Sequence, residues 1–203
     1  MDTKRIGVIV GSLRKESFNK KMAQALVKIA PENLEMEMVE IGQLSMYNQD
    51  YDENPPQDWV QFRNQIKDFD AILFVSPEYN RSIPGVLKNA IDIGSRPYGH
   101  SVWDGKPAGI ITVSVGAIGG FGSNHHLRQC LAYLNMPCLP QPEAYIGGAS
   151  TLFGKNGEIT VPAVSELALK FINTFTSWVE RNSTQLVPVK NKKSAQASQH
   201  TPH

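Results

Sequence analysis

A group of polar side chains follows the first apolar run of the chain and has the composition of a phosphate-binding loop. Residues 6–10 have the apolar character of a strand, and an amphipathic helical pattern begins at residue 19; the candidate donors from residue 12 to the start of that helix are Ser12, Arg14, Ser17 and Asn19. A helix that begins here exposes unpaired backbone N–H groups at the positive end of its dipole. Two hydroxyls and an amide add donors, and the guanidinium adds a charge-assisted hydrogen bond. The segment therefore predicts a receptor for a phosphate monoester.

The glycine spacing distinguishes this loop from two common nucleotide-binding motifs. Gly7 and Gly11 are followed by no third glycine at the helix start, so the Gly-x-Gly-x-x-Gly fingerprint of dinucleotide-binding folds is missing. The Gly-x-x-x-x-Gly-Lys-Ser loop is missing as well. A second interpretation gives Ser17 or Asn19 only a helix-capping role, which is common for these residue types. A single cap would explain one polar residue but not the whole group.

Two later loops also follow predicted strands and carry candidate ligand contacts. Residues 77–85 have prolines at both ends, which restrict the backbone and allow side chains to be presented at a low entropic cost. Residues 114–122 contain four glycines, which permit close approach of the backbone to a flat ligand. Residues 77–85 could instead be only a stiff strand-to-helix connection, and residues 114–122 could be only a flexible structural turn.

Apolar runs of strand type alternate with helical patterns along the chain. The predicted strands are 6–10, 35–41, 71–75, 108–115 and a short fifth one opening at 137–140 and resuming near 145–146; the predicted helices are 19–29, about 59–69, 86–93, 125–134 and about 163–181. This alternation, with continuous apolar central strands, indicates a parallel sheet covered on both faces. Right-handed crossovers give a doubly wound α/β fold with strand order 2-1-3-4-5. In such a sheet ligands bind where the order reverses, between strands one and three, which is where the first two loops lie.

Composition limits the classes of protein to which the chain could belong. With 203 residues, 41% of them apolar, we expect a single globular domain over residues 1–187. Residues 188–203, including the cluster Lys190–Lys193, lack an apolar period and are predicted to form a disordered, solvated tail. The formal charge of +1 argues against nucleic acid as a partner.

The N-terminal residues, the apolar segments and the cysteines bear on the cellular location of the protein. Residues 1–5 lead directly into a strand, and no segment has the pattern of a signal peptide or of a membrane span. The two cysteines, Cys130 and Cys138, have no paired spacing, so they are predicted to be buried free thiols. A cytoplasmic location is the expectation that follows.

Three motifs, taken together, resemble the NADPH-dependent FMN reductase family over roughly residues 5–180. They are Ser-Leu-Arg-x-x-Ser-x-Asn at 12–19, Pro-Glu-Tyr-Asn at 77–80 and Gly-Val-Leu-Lys-Asn-Ala-Ile-Asp at 85–92. The resemblance implies a flavodoxin-like three-layer sandwich with FMN as the cofactor. Family members include soluble reductases of quinones, chromate and azo dyes.

The resemblance also implies roles for individual residues. The FMN phosphate would be held by Ser12, Arg14, Ser17 and Asn19, with a backbone contact from Phe18. The ribityl chain and the isoalloxazine edge would be lined by Pro77, Glu78, Tyr79, Asn80 and Arg81, and the pyrimidine side of the ring would meet Ser114 and Gly116. Family members often carry an aromatic or small residue in place of Arg81, so the shape or charge of the acceptor pocket is expected to differ here.

The implied activity is that of an FMN-dependent NAD(P)H oxidoreductase. A hydride passes from NADPH or NADH to FMN, and a small-molecule acceptor then takes two electrons; quinones are the expected acceptors, with chromate and azo compounds as others. The motifs His-Leu-Arg-Gln at 126–129 and Pro-Glu at 142–143 look like the bacterial chromate/quinone reductase branch. The resemblance implies a homodimer or homotetramer. No catalytic side chain is predicted, since the flavin N5 carries the hydride.

Two functions from other classes remain open at this stage. One is a flavodoxin-type electron carrier, although such carriers are strongly acidic, which the charge of +1 and Arg14 disfavour. The other is a flavin-dependent redox-regulatory protein that would share the FMN site and oxidise NADPH poorly.

Five residues outside the three loops have more than one interpretation. His125 and His126 are expected to be structural or to line a pocket rather than bind a metal, since no His, Cys or Asp set has ligand spacing. Trp103 could cover a neighbouring subunit's flavin or anchor its own loop. Arg128 and Glu143 could pair between subunits or be solvated at the surface.

Overall fold

Five parallel strands form the centre of the molecule, in the order β2-β1-β3-β4-β5. The computed structural model describes residues 2–183. The strands are β1 (Lys4–Val10), β2 (Leu34–Val39), β3 (Ala71–Ser76), β4 (Ala108–Val113) and β5 (Ala144–Ile146). The helices are α1 (Phe18–Ile29), α2 (Gln57–Lys67), α3 (Gly85–Gly94), α4 (Phe121–Tyr133) and α5 (Pro162–Ser183), with 3₁₀ turns at Gln49–Tyr51 and Ala149–Thr151. The predicted fold class and strand order are confirmed.

The sheet is buried on both faces, which explains the unbroken apolar composition of its central strands. All six residues of β3 are buried. Leu73 and Val75 pack with α1 and α5, whereas Ile72 and Phe74 pack with α2, α3 and α4, as the two-residue period of a strand requires. Two cores therefore lie on opposite faces of one sheet, and the three layers of the predicted sandwich are present.

Parallel pairing brings the candidate loops to one edge of the sheet. Val10 at the end of β1 lies opposite Val75 of β3, and β3 is paired in turn with β4. The Gly11 amide donates to the Val75 carbonyl at 2.9 Å. A Cβ on Gly11 would lie 2.6 Å from the Ser76 hydroxyl, so the close approach of the two strand ends requires glycine.

Several element boundaries differ from the predicted ones. β4 ends at Val113 instead of 115, and residues 137–140 contribute only an isolated bridge from Cys138 to Ala108. The prolines at 137 and 140 explain this, because they have no N–H to donate to a ladder. Helix α4 begins at Phe121, four residues earlier than predicted, since its first turn lacks an apolar period and is stabilised by tertiary contacts described below.

Trp103 anchors the connection between α3 and β4 within its own chain. Its side chain is fully buried, and its indole Nε1 donates to the Ile91 carbonyl at 2.9 Å. The ring packs against Phe62 and Phe74, with centroid separations of 6.0 and 6.2 Å. A fully buried ring cannot cover a flavin in another subunit, so of the two interpretations the anchoring one is confirmed.

The structure bears differently on the predicted tail and on the predicted lack of a membrane span. The predicted tail, residues 188–203 with Lys190–Lys193, lies outside the described residues. None of the helices within residues 2–183 is long and apolar enough to cross a membrane.

Candidate functional site

Three loops converge at the carboxyl edge of the sheet and form the candidate site. Residues 11–17 follow β1, residues 77–84 follow β3, and residues 114–120 follow β4. The Asn19 side-chain amide donates to the Val113 carbonyl at 3.1 Å, which links the start of α1 to the end of β4. The crevice thus lies at the position where the strand order reverses, as predicted.

Ser17 caps the N-terminus of α1. It has extended backbone angles, its side chain is almost fully buried, and its hydroxyl accepts from the Lys20 amide at 3.2 Å. The capping interpretation is confirmed. The same hydroxyl still has its own proton to donate, so capping is compatible with a phosphate contact, which stays a prediction.

The first turn of α1 and the loop before it present an unpaired set of donors. Within residues 2–183, the exposed Arg14 side chain has no hydrogen-bond or ion-pair partner, and the backbone amides of residues 12–16 donate to no other group. Ser12 is half-buried beside them, and the first turn of α1 holds no acidic residue. Free N–H groups, a helix N-terminus and a guanidinium together match the needs of a dianionic phosphate.

The side chains of Asn19 and Phe18 contact neighbouring elements and thereby position α1. Asn19 is 4% exposed, its amide nitrogen is bound to β4, and its Oδ1 is buried without a partner among the described residues. The Phe18 ring stacks on Phe153 at a centroid distance of 6.3 Å. The predicted contact of the Phe18 backbone with FMN stays a prediction. A direct contact from Asn19 to phosphate stays a prediction.

A tight two-residue turn shapes the loop after β3. Tyr79 and Ser82 exchange two backbone hydrogen bonds, each of 2.9 Å, and the central residues Asn80 and Arg81 both have positive φ, at 51° and 66°. This is the geometry of a type I′ turn, which favours asparagine and glycine and strains an arginine. The turn leaves Tyr79 exposed at the edge of the crevice, where a flat ligand could contact it.

Glu78 fixes this loop to the N-terminus of α4. Its carboxylate accepts from the Arg81 guanidinium at 3.0 Å and from the Ser123 amide at 3.2 Å. The Ser123 hydroxyl donates to the Pro77 carbonyl at 2.9 Å. A carboxylate at the positive end of a helix is stabilising, which accounts for the early start of α4. The Glu78 side chain therefore points toward α4, and the Arg81 side chain reaches back to it.

Replacing Glu78 by alanine is expected to lower the free energy of unfolding by about 1–3 kcal/mol, because a half-buried acceptor of two donors is lost. Urea denaturation checks this value. Glu78→Gln keeps one acceptor and should lose less. Arg81→Ala is the matched control: it breaks only the exposed ion pair, worth at most about 1 kcal/mol. An equal loss in Arg81→Ala and Glu78→Ala would contradict the role of Glu78 at α4.

The third loop is held by the edge strand β5. The Ser114 amide donates to the Ile146 carbonyl at 2.9 Å, and the Ser114 hydroxyl accepts from the Gly116 amide at 3.3 Å. Gly119 has a φ of +68°, and a Cβ there would lie 2.5 Å from the Tyr145 backbone, so this position requires glycine. Ser114 is half-buried and Gly116 exposed, which leaves both accessible from the crevice.

Comparison with known proteins identifies the family. A model of the NADPH-dependent FMN reductase family matches residues 4–151. The chain belongs to this family. A quinone reductase of Pseudomonas putida is 54% identical over 178 residues, which cover 87% of this chain and 95% of that protein. A 2-hydroxy-1,4-benzoquinone reductase of Burkholderia sp is 47% identical over 175 residues, with 86% and 96% covered.

A solved structure of a flavoenzyme is similar to this chain in both fold and sequence. FerB, a flavoenzyme NAD(P)H:(acceptor) oxidoreductase from Paracoccus denitrificans, superposes with a TM-score of 0.84 at 37% identity. The match covers 89% of this chain and 99% of FerB. As a member of the NADPH-dependent FMN reductase family, the chain is an oxidoreductase with FMN as its cofactor and a reduced nicotinamide dinucleotide as co-substrate.

The free donors at the N-terminus of α1 fit the phosphate of FMN. Arg14 and the amides of residues 12–16 are unpaired within the described chain, and Ser12 and Ser17 supply hydroxyls beside them. The assignment of individual contacts to these residues stays a prediction, as it does for the residues of the two other loops.

In this FMN reductase family member, each of the two adjacent histidines of α4 forms a hydrogen bond with a hydroxyl group near the crevice. The Ser82 hydroxyl lies 2.6 Å from His126 Nδ1, and the Tyr145 hydroxyl lies 3.0 Å from His125 Nε2. Burial and the neighbouring Glu143 carboxylate raise the pKa of Tyr145 to about 12, so its hydroxyl keeps its proton. The partners are 44 and 20 residues apart, so these pairs could not be predicted from local sequence. The adjacent histidines were the only feature of the sequence that drew attention to this position.

Arg128 and the cysteines have structural surroundings. The Arg128 guanidinium donates to Asn124 Oδ1 at 2.9 Å and to the Leu139 carbonyl at 3.0 Å. It is therefore bound within its own chain rather than simply solvated, and a pairing with Glu143 of another subunit stays a prediction. Cys130 and Cys138 are free thiols, as predicted, but they are half-buried instead of buried; the burial they have raises the pKa of both.

Proposed function

We propose that this protein is an FMN-dependent NAD(P)H:quinone oxidoreductase, with chromate and azo compounds as less specific acceptors. The observation that carries the proposal is the unpaired donor set around Arg14 at the reversal of the strand order, where the three loops meet. The names of the Pseudomonas putida and Burkholderia relatives support quinones as the acceptor class.

The protein side chains serve to bind and orient. Arg14 and the amides of residues 12–16 hold the phosphate, and the turn around Tyr79 positions the edge of the ring system. Bound FMN supplies hydride transfer at its N5. The amides of Val115 and Ala117 donate to no other group within residues 2–183, which supports a role for them in stabilising negative charge on the pyrimidine side of the ring. No side chain needs to act as an acid or base in the reduction by NAD(P)H.

Steady-state oxidation of NADPH and of NADH, with and without 1,4-benzoquinone, tests the proposal. We expect rapid oxidation that depends on the acceptor, with parallel double-reciprocal lines because both substrates use the same face in turn. FMN-free protein is the control and should be inactive. A bound flavin that neither nicotinamide can reduce would favour an electron carrier. Stopped-flow traces in which the acceptor must bind before NADPH reduces the flavin would contradict the two-step cycle.

We infer further that the protein is cytoplasmic and forms a homodimer or a homotetramer. Tyr98 and Tyr133 are each 85% exposed and provide aromatic surface for a subunit contact. Multi-angle light scattering on the purified protein distinguishes the two assemblies, and a monomer over the whole concentration range would contradict both.

A further inference from the structure

Arg81 presents a positive charge in one of the three loops of the candidate site. It is the second central residue of the type I′ turn after β3 and directly follows Tyr79 and Asn80, which are predicted to line the isoalloxazine edge. Its side chain is 76% exposed. A guanidinium keeps its charge over the whole pH range in which proteins are folded, so the charge at this position is fixed.

The backbone at this position does not favour arginine. The φ of Arg81 is +66°, in the left-handed region that glycine and asparagine adopt at a lower cost. Within residues 2–183, the side chain forms one hydrogen-bonded ion pair, from its Nη1 to Glu78 at 3.0 Å. Exposed ion pairs contribute little to stability. A side chain that is kept against the preference of its backbone, with little gain in stability, indicates a function.

The guanidinium lies between two of the three loops. The second carboxylate oxygen of its partner Glu78 accepts from the Ser123 amide in the first turn of α4, directly after the loop that follows β4. A Cβ on Gly122 would lie 2.8 Å from the Arg81 carbonyl oxygen, so the turn and the start of α4 are in close contact. Only Nη1 of Arg81 is engaged by Glu78, and its other N–H groups have no partner among the described residues. They are therefore available to a ligand.

The surroundings of Arg81 favour a ligand that combines one negative charge with an apolar ring. Residues 77–84 and 114–121 contain two charged side chains, Glu78 and Arg81. The Glu78 side chain is only 11% exposed and both of its oxygens accept hydrogen bonds, so Arg81 determines the charge that a ligand meets here. The same two segments expose four large apolar side chains, namely Tyr79, Val115, Ile118 and Phe121. Exposed apolar surface of this kind binds the rings of planar ligands.

We propose that Arg81 is a specificity-determining residue of the acceptor step and selects quinones that carry an acidic substituent, such as a sulfonate, on the aromatic ring. The guanidinium donates hydrogen bonds to the acidic group, and the ring lies against the apolar side chains of the two loops. The inference rests on the proposed function. The quinone takes a hydride from the reduced flavin and a proton from water and becomes a hydroquinone. Arg81 keeps all of its protons and acts on the binding of the acceptor.

Two quinones that differ in charge test the proposal, namely 1,2-naphthoquinone and 1,2-naphthoquinone-4-sulfonate. FMN-loaded protein is reduced with one equivalent of dithionite and mixed with each quinone in a stopped-flow instrument, so no nicotinamide is present. The ratio of the two reoxidation rate constants, sulfonated over neutral, should fall about fivefold in Arg81→Asn, at the upper end of the range for an exposed ion pair. Comparing this ratio between variants cancels the different reduction potentials of the quinones.

Three further variants accompany Arg81→Asn. Arg81→Gly also suits the left-handed backbone and should give the same fall in the ratio. Arg81→Lys keeps the charge without the planar fork and should recover part of the loss. Lys67→Ala is the matched control, because Lys67 is an exposed cation in the last turn of α2, at the opposite edge of the sheet. It removes the same charge from the protein, and its ratio should remain near that of the wild type.

Ionic strength provides a measurement that a merely structural role of Arg81 would not affect. An increase in NaCl from about 20 to about 500 mM should lower the ratio of the wild type toward that of Arg81→Asn, because salt screens exposed charges. The ratio of Arg81→Asn itself should depend much less on salt.

A ligand that cannot be reduced tests the contact without turnover. Naphthalene-1-sulfonate takes up no hydride, and calorimetric titration into oxidised, FMN-loaded protein should give a dissociation constant about fivefold higher for Arg81→Asn than for the wild type. Naphthalene-1-sulfonamide has the same ring without the charge and should bind both proteins equally. An FMN content near one per chain confirms that each variant is intact.

The outcomes separate the two proposals. A reduced wild-type protein that neither quinone reoxidises overturns the proposed function and the role of Arg81 with it. An active wild type whose ratio is unchanged in Arg81→Asn overturns only the role of Arg81. Equal losses with the two quinones also overturn it. So does a higher KM for NADPH or NADH in Arg81→Asn with an unchanged ratio, which would assign the guanidinium to the dinucleotide instead of the acceptor.

Discussion

Replacing Arg14 by alanine is expected to raise the dissociation constant of FMN by about 10- to 100-fold, the loss of one charge-assisted hydrogen bond. The reason is structural: the exposed guanidinium has no partner within residues 2–183, so its interaction energy is available to the ligand. Titration of the FMN-free protein, followed by quenching of flavin fluorescence, measures the change. Riboflavin, which lacks the phosphate, should bind the wild type and Arg14→Ala about equally.

Lys15→Ala is the control for this experiment, because Lys15 is an adjacent exposed cation in the same loop. It changes the net charge as Arg14→Ala does, and its effect on FMN affinity should be small if direct contact matters more than the overall field. Unchanged FMN affinity in Arg14→Ala, or an equal loss for FMN and riboflavin, would contradict the phosphate site at α1.

Trp103→Ala is expected to lower the free energy of unfolding by about 3–5 kcal/mol, the range for deleting a large buried aromatic side chain. The indole is fully buried between Phe62 and Phe74, and its removal leaves a cavity in the core beneath α2 and α3. The hydrogen bond to the Ile91 carbonyl is lost as well. Urea denaturation with linear extrapolation gives the difference.

Two further variants show whether the effect of Trp103 is structural. Trp103→Phe keeps most of the volume and loses the donor to Ile91, so a loss of about 1–3 kcal/mol is expected, without a change in FMN affinity. Tyr98→Ala alters an exposed residue of the same connection and should change the stability by no more than about 0.5 kcal/mol. A flavin affinity that falls in Trp103→Phe would contradict a purely structural role.

The layout of the candidate site could be predicted from local patterns. Apolar runs and helical periods sufficed for the strand order, because a parallel sheet with right-handed crossovers allows few alternatives. That order places the ends of β1 and β3 side by side, and therefore residues 11–17 next to residues 77–84. The polar group around Arg14 was recognisable for the same reason, since its residues are close in the sequence and precede a helix.

The hydrogen-bond partners of individual side chains could not be predicted from local patterns. Glu78 turns to the amide of Ser123, 45 residues away, and this contact also moves the start of α4 to Phe121. Asn19 is committed to the Val113 carbonyl, 94 residues away. Such choices depend on which donors and acceptors the folded backbone leaves unpaired nearby, and local propensity carries no information about them.

The sheet, its reversal point and the phosphate-type loop could be predicted without coordinates, because each depends on the periodicity or chemistry of neighbouring residues. Three features became apparent only from the folded chain: Trp103 is a core residue, Asn80 and Arg81 adopt left-handed backbone angles, and the Ser82 hydroxyl contacts His126. These features arise where segments distant in the chain pack together, and burial and hydrogen-bond satisfaction across that packing fix them.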